Sequence, residues 1–237
     1  MIDRTFFDAY SLFDPNNASA STRDGCGRVV FGRGVSNCPG ALRAEVLNCI
    51  VGSNDPRYPL DADVVDLCLD DATMVDNLRE PPSHWWPLCG AARANENRLV
   101  IHINADDFGS LAKGMTRLAR AFPTVHFFAD PFLKGKVARW QAGVCLAEEP
   151  NVWITTRGLY ASPATWPDRS EREAIHFTVG EVGAGKLLFA SGLTPALMDA
   201  QLLRPDDWLS GISFLEPAQC DLILRKNAGD AFADLGT

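Results

Sequence analysis

The chain has 237 residues, 46% of them hydrophobic and 22% charged, with a formal net charge of −8. That length suits one core of roughly the size of a single (β/α) barrel, about 250 residues, so one domain over the whole chain is expected. The acidic balance, with no run of Lys or Arg, argues against a nucleic-acid partner or an acidic membrane surface.

Cys26, Cys38, Cys49, Cys68, Cys89, Cys145 and Cys220 form no CxxC pair, and an odd count leaves at least one thiol unpaired. Free thiols in a reducing compartment are the expectation. The N-terminal MIDRTFFDAY has no basic segment leading into a long apolar run, and no apolar stretch reaches about 18 residues. The expected location is therefore the cytoplasm, with no membrane partner.

Thr5–Leu12 alternates as a first strand, with Asp8, Tyr10 and Leu12 on one face. Asp14–Gly27 is a polar loop rich in Asn, Ser, Thr, Asp and Gly. Arg28–Phe31 is a short second strand, and Val35–Gly40 a turn. Ala41–Val51 places Leu42, Val46 and Cys49 near one helical face and reads as a helix. Gly52–Leu60 is a loop, Val64–Leu69 a strand, and Pro81-Pro82 a break. Trp85–Asn95 reads as a helix. This half looks short of elements.

From Arg98 the pattern becomes regular. The strands are Arg98–Asn104, Thr124–Asp130, Asn151–Arg157 and Lys186–Ala190. They alternate with helices at Ser110–Phe122, Lys134–Glu148 and Ser170–Val182. Ser110 is a candidate N-cap, and Ser170 with Glu173 fits a capping box. Two further helices are expected at Thr194–Leu203 and Gln219–Phe232. Such alternation argues for right-handed βαβ units and a parallel sheet. The glycines of Gly180–Gly185 precede a strand rather than follow one, so they make a loop and not a dinucleotide fingerprint.

Several stretches, in order, resemble the amidohydrolase-related family of metal-dependent hydrolases and decarboxylases. PNVWITTRGL (Pro150–Leu159) is similar to its "pNVy…SGl" strand, and GAGKLLFASGLTP (Gly183–Pro195) to its "G.dRllFGSDyP". LILRKNAGDAF (Leu222–Phe232) resembles the closing "i…NA.rlf" helix. RAFPTVHFFADPF (Arg120–Phe132) resembles "fP.lkfvldHlG", RLVIHIN resembles "pv.iHt", and FFDAYSLFDP resembles the "iDaHvHl" first strand. The resemblance implies a (β/α)8 TIM barrel, distorted or incomplete in the N-terminal half. It also implies a site at the C-terminal ends of the strands.

The family's divalent metal, typically zinc, is held by His-x-His on strand one, His on strand five and Asp on strand eight, while a strand-six His handles protons. Here the strand-one pair becomes Tyr10 and Leu12, the strand-six His aligns with Pro131, and the strand-eight Asp aligns with Gly192. Only His102 matches. One imidazole does not hold a catalytic zinc, so the expected site binds no metal. Its candidate ligand-binding residues are Asp8, Tyr10, His102, Asp130 and Arg157; a catalytic residue is not identified. A rebuilt site is the alternative, with Asp8, His102, Asp106 and Asp130 holding magnesium, manganese or zinc. Asp106 and Asp107 also suit an ordinary βα loop.

Arg157 either clamps a carboxylate or phosphate or pairs with Asp130 or Asp8 and supplies the missing positive charge; the second reading is favoured. His84 suits a surface or pocket rim, and His126 and His176 read as satisfied or solvent-facing. Three functions follow: a metal-free relative binding a small carboxylated ligand or a partner at the barrel mouth, an active metal-dependent hydrolase or decarboxylase on a small acid, or a homo-oligomer using Trp85-Trp86 as an anchor.

Overall fold

A computed structural model of the protein describes residues 7–12, 27–31, 42–49, 64–69, 86, 89–90, 100–104, 108–132, 137–159, 169–192 and 205–232, with backbone alone in the first five strands and at 110–111 and 137–139. The strands are β1 Phe7–Leu12, β2 Gly27–Phe31, β3 Leu42–Cys49, β4 Val64–Leu69, β5 Val100–Asn104, β6 His126–Ala129, β7 Val152–Thr155 and β8 Leu187–Leu188. They form one eight-stranded sheet in sequence order, every pair parallel. This is the strand order of a TIM barrel, as expected.

The helices are α1 Phe108–Ala121, α2 Val137–Cys145, α3 Arg169–Val182, α4 Pro205–Ser210, α5 Pro217–Asp221 and α6 Asn227–Phe232. A π-helical segment, Leu222–Lys226, joins the last two. Period two decides what each strand buries. Phe127 and Ala129 of β6, Val152 and Ile154 of β7 and Leu187 of β8 join Met115, Leu118, Val144 and Ile175 in the core between sheet and helices. The alternate positions face the barrel interior. There Phe128 meets Trp153 edge-on at 5.9 Å and Phe232 at 4.9 Å.

Ala41–Val51 is not a helix: Leu42–Cys49 is the strand β3. Its eight residues fit either period, and parallel strands buried on both faces lose clean alternation. Pairing with β2 and β4 overrides the helical spacing. Helix α1 begins at Phe108, so Ser110 lies inside it rather than capping it. Helix α3 begins at Arg169, and Glu173, the expected capping-box carboxylate, accepts a bond from Arg169 Nε at 2.7 Å instead. Helix α4 was not expected. Its signal is Pro205 ahead of two acidic residues, Asp206 and Asp207, with Trp208 and Leu209 buried. Residues 194–203 lie outside the described residues.

Gly180–Val182 ends α3, Gly183 has φ +82, and a 3-10 turn, Ala184–Lys186, leads into β8. That run is a helix end and a turn, consistent with excluding a dinucleotide loop. Trp86 is half-buried, packs against the core and lies 5.6 Å from Phe122, while Trp85 lies outside the described residues. No helix among the described residues is long and apolar enough to cross a membrane.

Side-chain nitrogens close the turns that enter the strands. Asn151 Nδ2 donates to the carbonyls of Ala119, Phe122 and Val125 at 3.1, 3.0 and 2.8 Å. Two amide protons thus serve three acceptors between α1 and β6. Lys186 Nζ donates to Glu149, Pro150 and Val152 at 3.1, 2.6 and 3.1 Å and sits 4.9 Å over the Trp153 ring. Burial lowers its pKa. Asn227 Nδ2 donates to Ala184 and Leu187, both at 2.7 Å.

Cys89 is fully buried and Cys145 exposed; both are free thiols. Burial pushes the Cys89 thiol from 9.0 up to about 12. Its folded pKa lies above the unfolded one, so this contribution is complete below pH 9.0 and lost as pH climbs towards about 12. The stability advantage of wild type over Cys89→Ala, read by urea denaturation, is expected to shrink above pH 9.0 by about 1.4 kcal/mol per pH unit. A gap independent of pH would contradict the burial of this thiol.

Candidate functional site

Parallel strands end on one rim, and the last residues of β6 and β7 carry the polar groups there. In β7, Trp153 and Thr155 share the parity that faces the interior, and Arg157 follows two residues beyond the strand. Asp130 follows β6 and is fully buried. Its Oδ1 accepts a bond from Thr155 Oγ1, and its Oδ2 accepts one from Arg157 Nη1 at 3.0 Å. The Thr155 hydroxyl accepts in turn from the Arg157 amide at 3.4 Å.

The electrostatics demand this arrangement. A buried carboxylate costs several kcal/mol to desolvate, and only a paired, hydrogen-bonded one persists. Arg157 provides the countercharge from a side chain that is 14% exposed. Thr156 fixes the neighbouring strand. Its amide donates to the Leu188 carbonyl at 2.9 Å, and its hydroxyl accepts from the Ala190 amide at 2.9 Å.

Gly192 completes the cluster. Its φ of +66 favours glycine, and a Cβ there would lie 3.2 Å from Arg157 Cγ and 3.6 Å from Nε. The arginine therefore occupies the space that a side chain at 192 would enter. Pro131 also has a packing explanation. A Cβ on Gly143 of α2 would meet Pro131 Cβ at 2.8 Å and Phe108 Cγ at 2.9 Å, so Pro131 packs closely against the helix layer.

Of the five candidate residues, the structure joins Asp130 and Arg157. His102 lies in β5, beside Asp66 of β4 and Phe128 of β6 in the ladder. Tyr10 and Asp8 lie in β1, but the register shifts between Asp8 and Ser11. That irregularity breaks the strict alternation that put Asp8, Tyr10 and Leu12 on one face. Asp8 stands opposite Arg28 in the ladder. Asp106, Asp107 and His84 lie outside the described residues. His126 stacks on Trp153 at 4.9 Å, and His176 is exposed on α3, edge-on to Phe214 at 5.0 Å. Thr155 was overlooked, although its parity with Trp153 and Arg157 was available in the sequence.

A divalent ion in the arrangement implied by the resemblance does not fit the residues described. Position 192 offers no donor, and the Asp130 carboxylate is engaged by Arg157 and Thr155. Among the described residues no three His, Cys, Asp or Glu converge as a metal-ligand group.

No family model matches the sequence, and no curated protein does. Solved structures do match the fold. An amidohydrolase from Burkholderia multivorans with bound zinc superposes with a TM-score of 0.62 at 13% identity, over 97% of this chain and 99% of that one. An uncharacterized TIM-barrel protein from Bordetella bronchiseptica gives 0.61 at 13% identity, over 99% and 100%. A 2,6-dihydroxybenzoate decarboxylase from Rhizobium gives 0.52 at 12% identity, over 98% and 99%. Likeness at this identity establishes the TIM-barrel fold, and the chemistry must be argued from the site.

Arg157→Gln removes the cation paired with the buried Asp130 carboxylate, so urea denaturation should show a loss of about 3–5 kcal/mol. Asp130→Asn should cost less. The double variant should cost less than the sum of the two by about 1–3 kcal/mol. Strictly additive losses would show that the pair does not form.

Proposed function

We propose that this protein is a metal-free relative of the amidohydrolase-type barrels that binds a small carboxylated ligand at the barrel mouth. The observation that carries this reading is the Arg157 guanidinium, paired with Asp130 and lying against Gly192. Gly192 is where the resemblance expects a metal-binding carboxylate. A fixed cation replaces the countercharge of an ion. Leu12 and Gly192 offer no ligating side-chain atom at two of the positions the resemblance assigns to ligands, which supports loss of the usual hydrolytic site.

A guanidinium presents five N–H donors in a planar fork that matches a carboxylate. Nη1 serves Asp130, and the side chain keeps 14% of its surface exposed. The ligand favoured is therefore small, planar at its acid group and anionic. The alternative, an active metal-dependent hydrolase or decarboxylase using Asp8, His102, Asp106 and Asp130, draws less support. It requires Asp130 to leave its two partners and Asp8 to act from a position opposite Arg28.

Calorimetric titration with malonate, succinate and citrate tests the reading. Wild type should bind at least one of them. The double variant Asp130→Asn/Arg157→Gln, which keeps the cluster neutral, should bind it at least about tenfold more weakly, or about 1.4 kcal/mol. Equal binding by the double variant, or no binding by wild type, would overturn the proposal.

A further inference from the structure

The outer helical layer carries a second concave surface, apart from the mouth. One stripe of α3, made of Glu171, Ala174, Ile175 and Thr178, is buried. The opposite stripe sets Arg169, Arg172, Glu173, His176 and Phe177 on one face, at spacings of three and four residues. With Trp140 of α2 and Phe214 of the turn between α4 and α5, this stripe lines a groove of about 780 Å³. None of the mouth residues Asp130, Thr155, Arg157 and Gly192 lines it.

The walls suit a flat apolar body. Trp140 meets Phe177 edge-on at 4.9 Å, and the buried Phe132 lies 5.6 Å from the same indole. His176 meets Phe214 edge-on at 5.0 Å. Phe214 is left 37% exposed, and a bound ring would take that apolar surface out of water. The volume falls within the range of small-molecule sites, roughly 300–1,000 Å³.

Charge selects the sign of the ligand. The guanidinium groups of Arg169 and Arg172 and the carboxylate of Glu173 line the groove, so it has one positive charge in excess on a chain whose net charge is −8. Arg169 Nε holds Glu173 Oε1 at 2.7 Å, from a side chain that is 91% exposed. A guanidinium matches a carboxylate with its planar fork and also stacks on aromatic rings. One excess charge balances a monoanion, whereas a dianion would be repelled by Glu173 without full compensation.

From these observations we infer that the groove between α2 and α3 is a binding site for a small aromatic monocarboxylate. The ring lies among Trp140, Phe177 and Phe214, and the carboxylate lies on Arg169 and Arg172. The site is on the outer face of the helices, so it stands or falls separately from ligand binding at Arg157.

Calorimetric titration of the full chain with 2-naphthoate is the test. The comparison ligand is decahydro-2-naphthoate, which keeps the carboxylate and carbon skeleton but is not aromatic. Wild type should bind 2-naphthoate, and the saturated acid at least about threefold more weakly. The variant Arg169→Gln/Arg172→Gln, changed at two exposed positions, should fold as wild type does and bind 2-naphthoate at least about tenfold more weakly. Phe214→Ala should weaken binding as well. The mouth variant Asp130→Asn/Arg157→Gln should bind 2-naphthoate as tightly as wild type. No binding by wild type, equal binding of the two acids, or equal binding by Arg169→Gln/Arg172→Gln would overturn the site. So would loss of binding in the mouth variant alone, which would place the ligand at Arg157 instead.

Discussion

The pairing of Asp130 with Arg157 sets the rest of the barrel mouth. A carboxylate with no solvent exposure needs a countercharge and a hydrogen bond within reach. Arg157 and Thr155 supply both from alternate positions beyond the middle of β7. With the arginine in place, a Cβ at residue 192 would come 3.2 Å from Arg157 Cγ, a tight approach that the arginine would have to ease. The left-handed backbone at 192 agrees with that constraint. The glycine at 192 and the arginine at 157 are therefore two parts of one packing arrangement, in which the arginine side chain lies against the glycine.

The opposite ends of the strands are organised by a relay. Asn151, beside the start of β7, closes the turn before β6. Lys186, just ahead of β8, closes the turn before β7, and Asn227, in the closing helix, closes the turn before β8. Each unit satisfies the carbonyls of the one before it. The π-helical segment adds a backbone tie, with the Phe189 amide donating to the Ile223 carbonyl at 3.1 Å. Buried carbonyls with no partner are costly, so these side chains hold neighbouring βα units in sequence. The mouth is free to differ chemically because the other end fixes the fold.

The second half of the fold was legible because its strands and helices differ in period, and Val64–Leu69 was bounded correctly by its apolar run. Leu42–Cys49 was not, because the spacing of apolar residues in so short a segment satisfies both periods. Pairing partners far along the chain decide that case, and they cannot be read locally. The site was legible in part. Arg157 and Asp130 stood out as charges at strand ends, and the sequence left Arg157 as a ligand clamp or a partner of Asp130 or Asp8; in the structure it pairs with Asp130. Thr155 is a short hydroxyl with an ordinary β-propensity, and its role emerges only when Asp130 is placed beside it. The register shift in β1 likewise has no signature in the alternation of Asp8, Tyr10 and Leu12.

If a fixed cation has replaced the metal, the protein has no use for a tightly bound divalent ion at the mouth. Elemental analysis of protein purified without chelator, repeated after incubation with zinc and with manganese and removal of the excess, measures this directly. Far less than one ion per chain under every condition is the expected result. About one tightly held ion per chain, lost on substitution of His102 or Asp130, would mean that a metal centre exists and that Arg157 does not stand in its place.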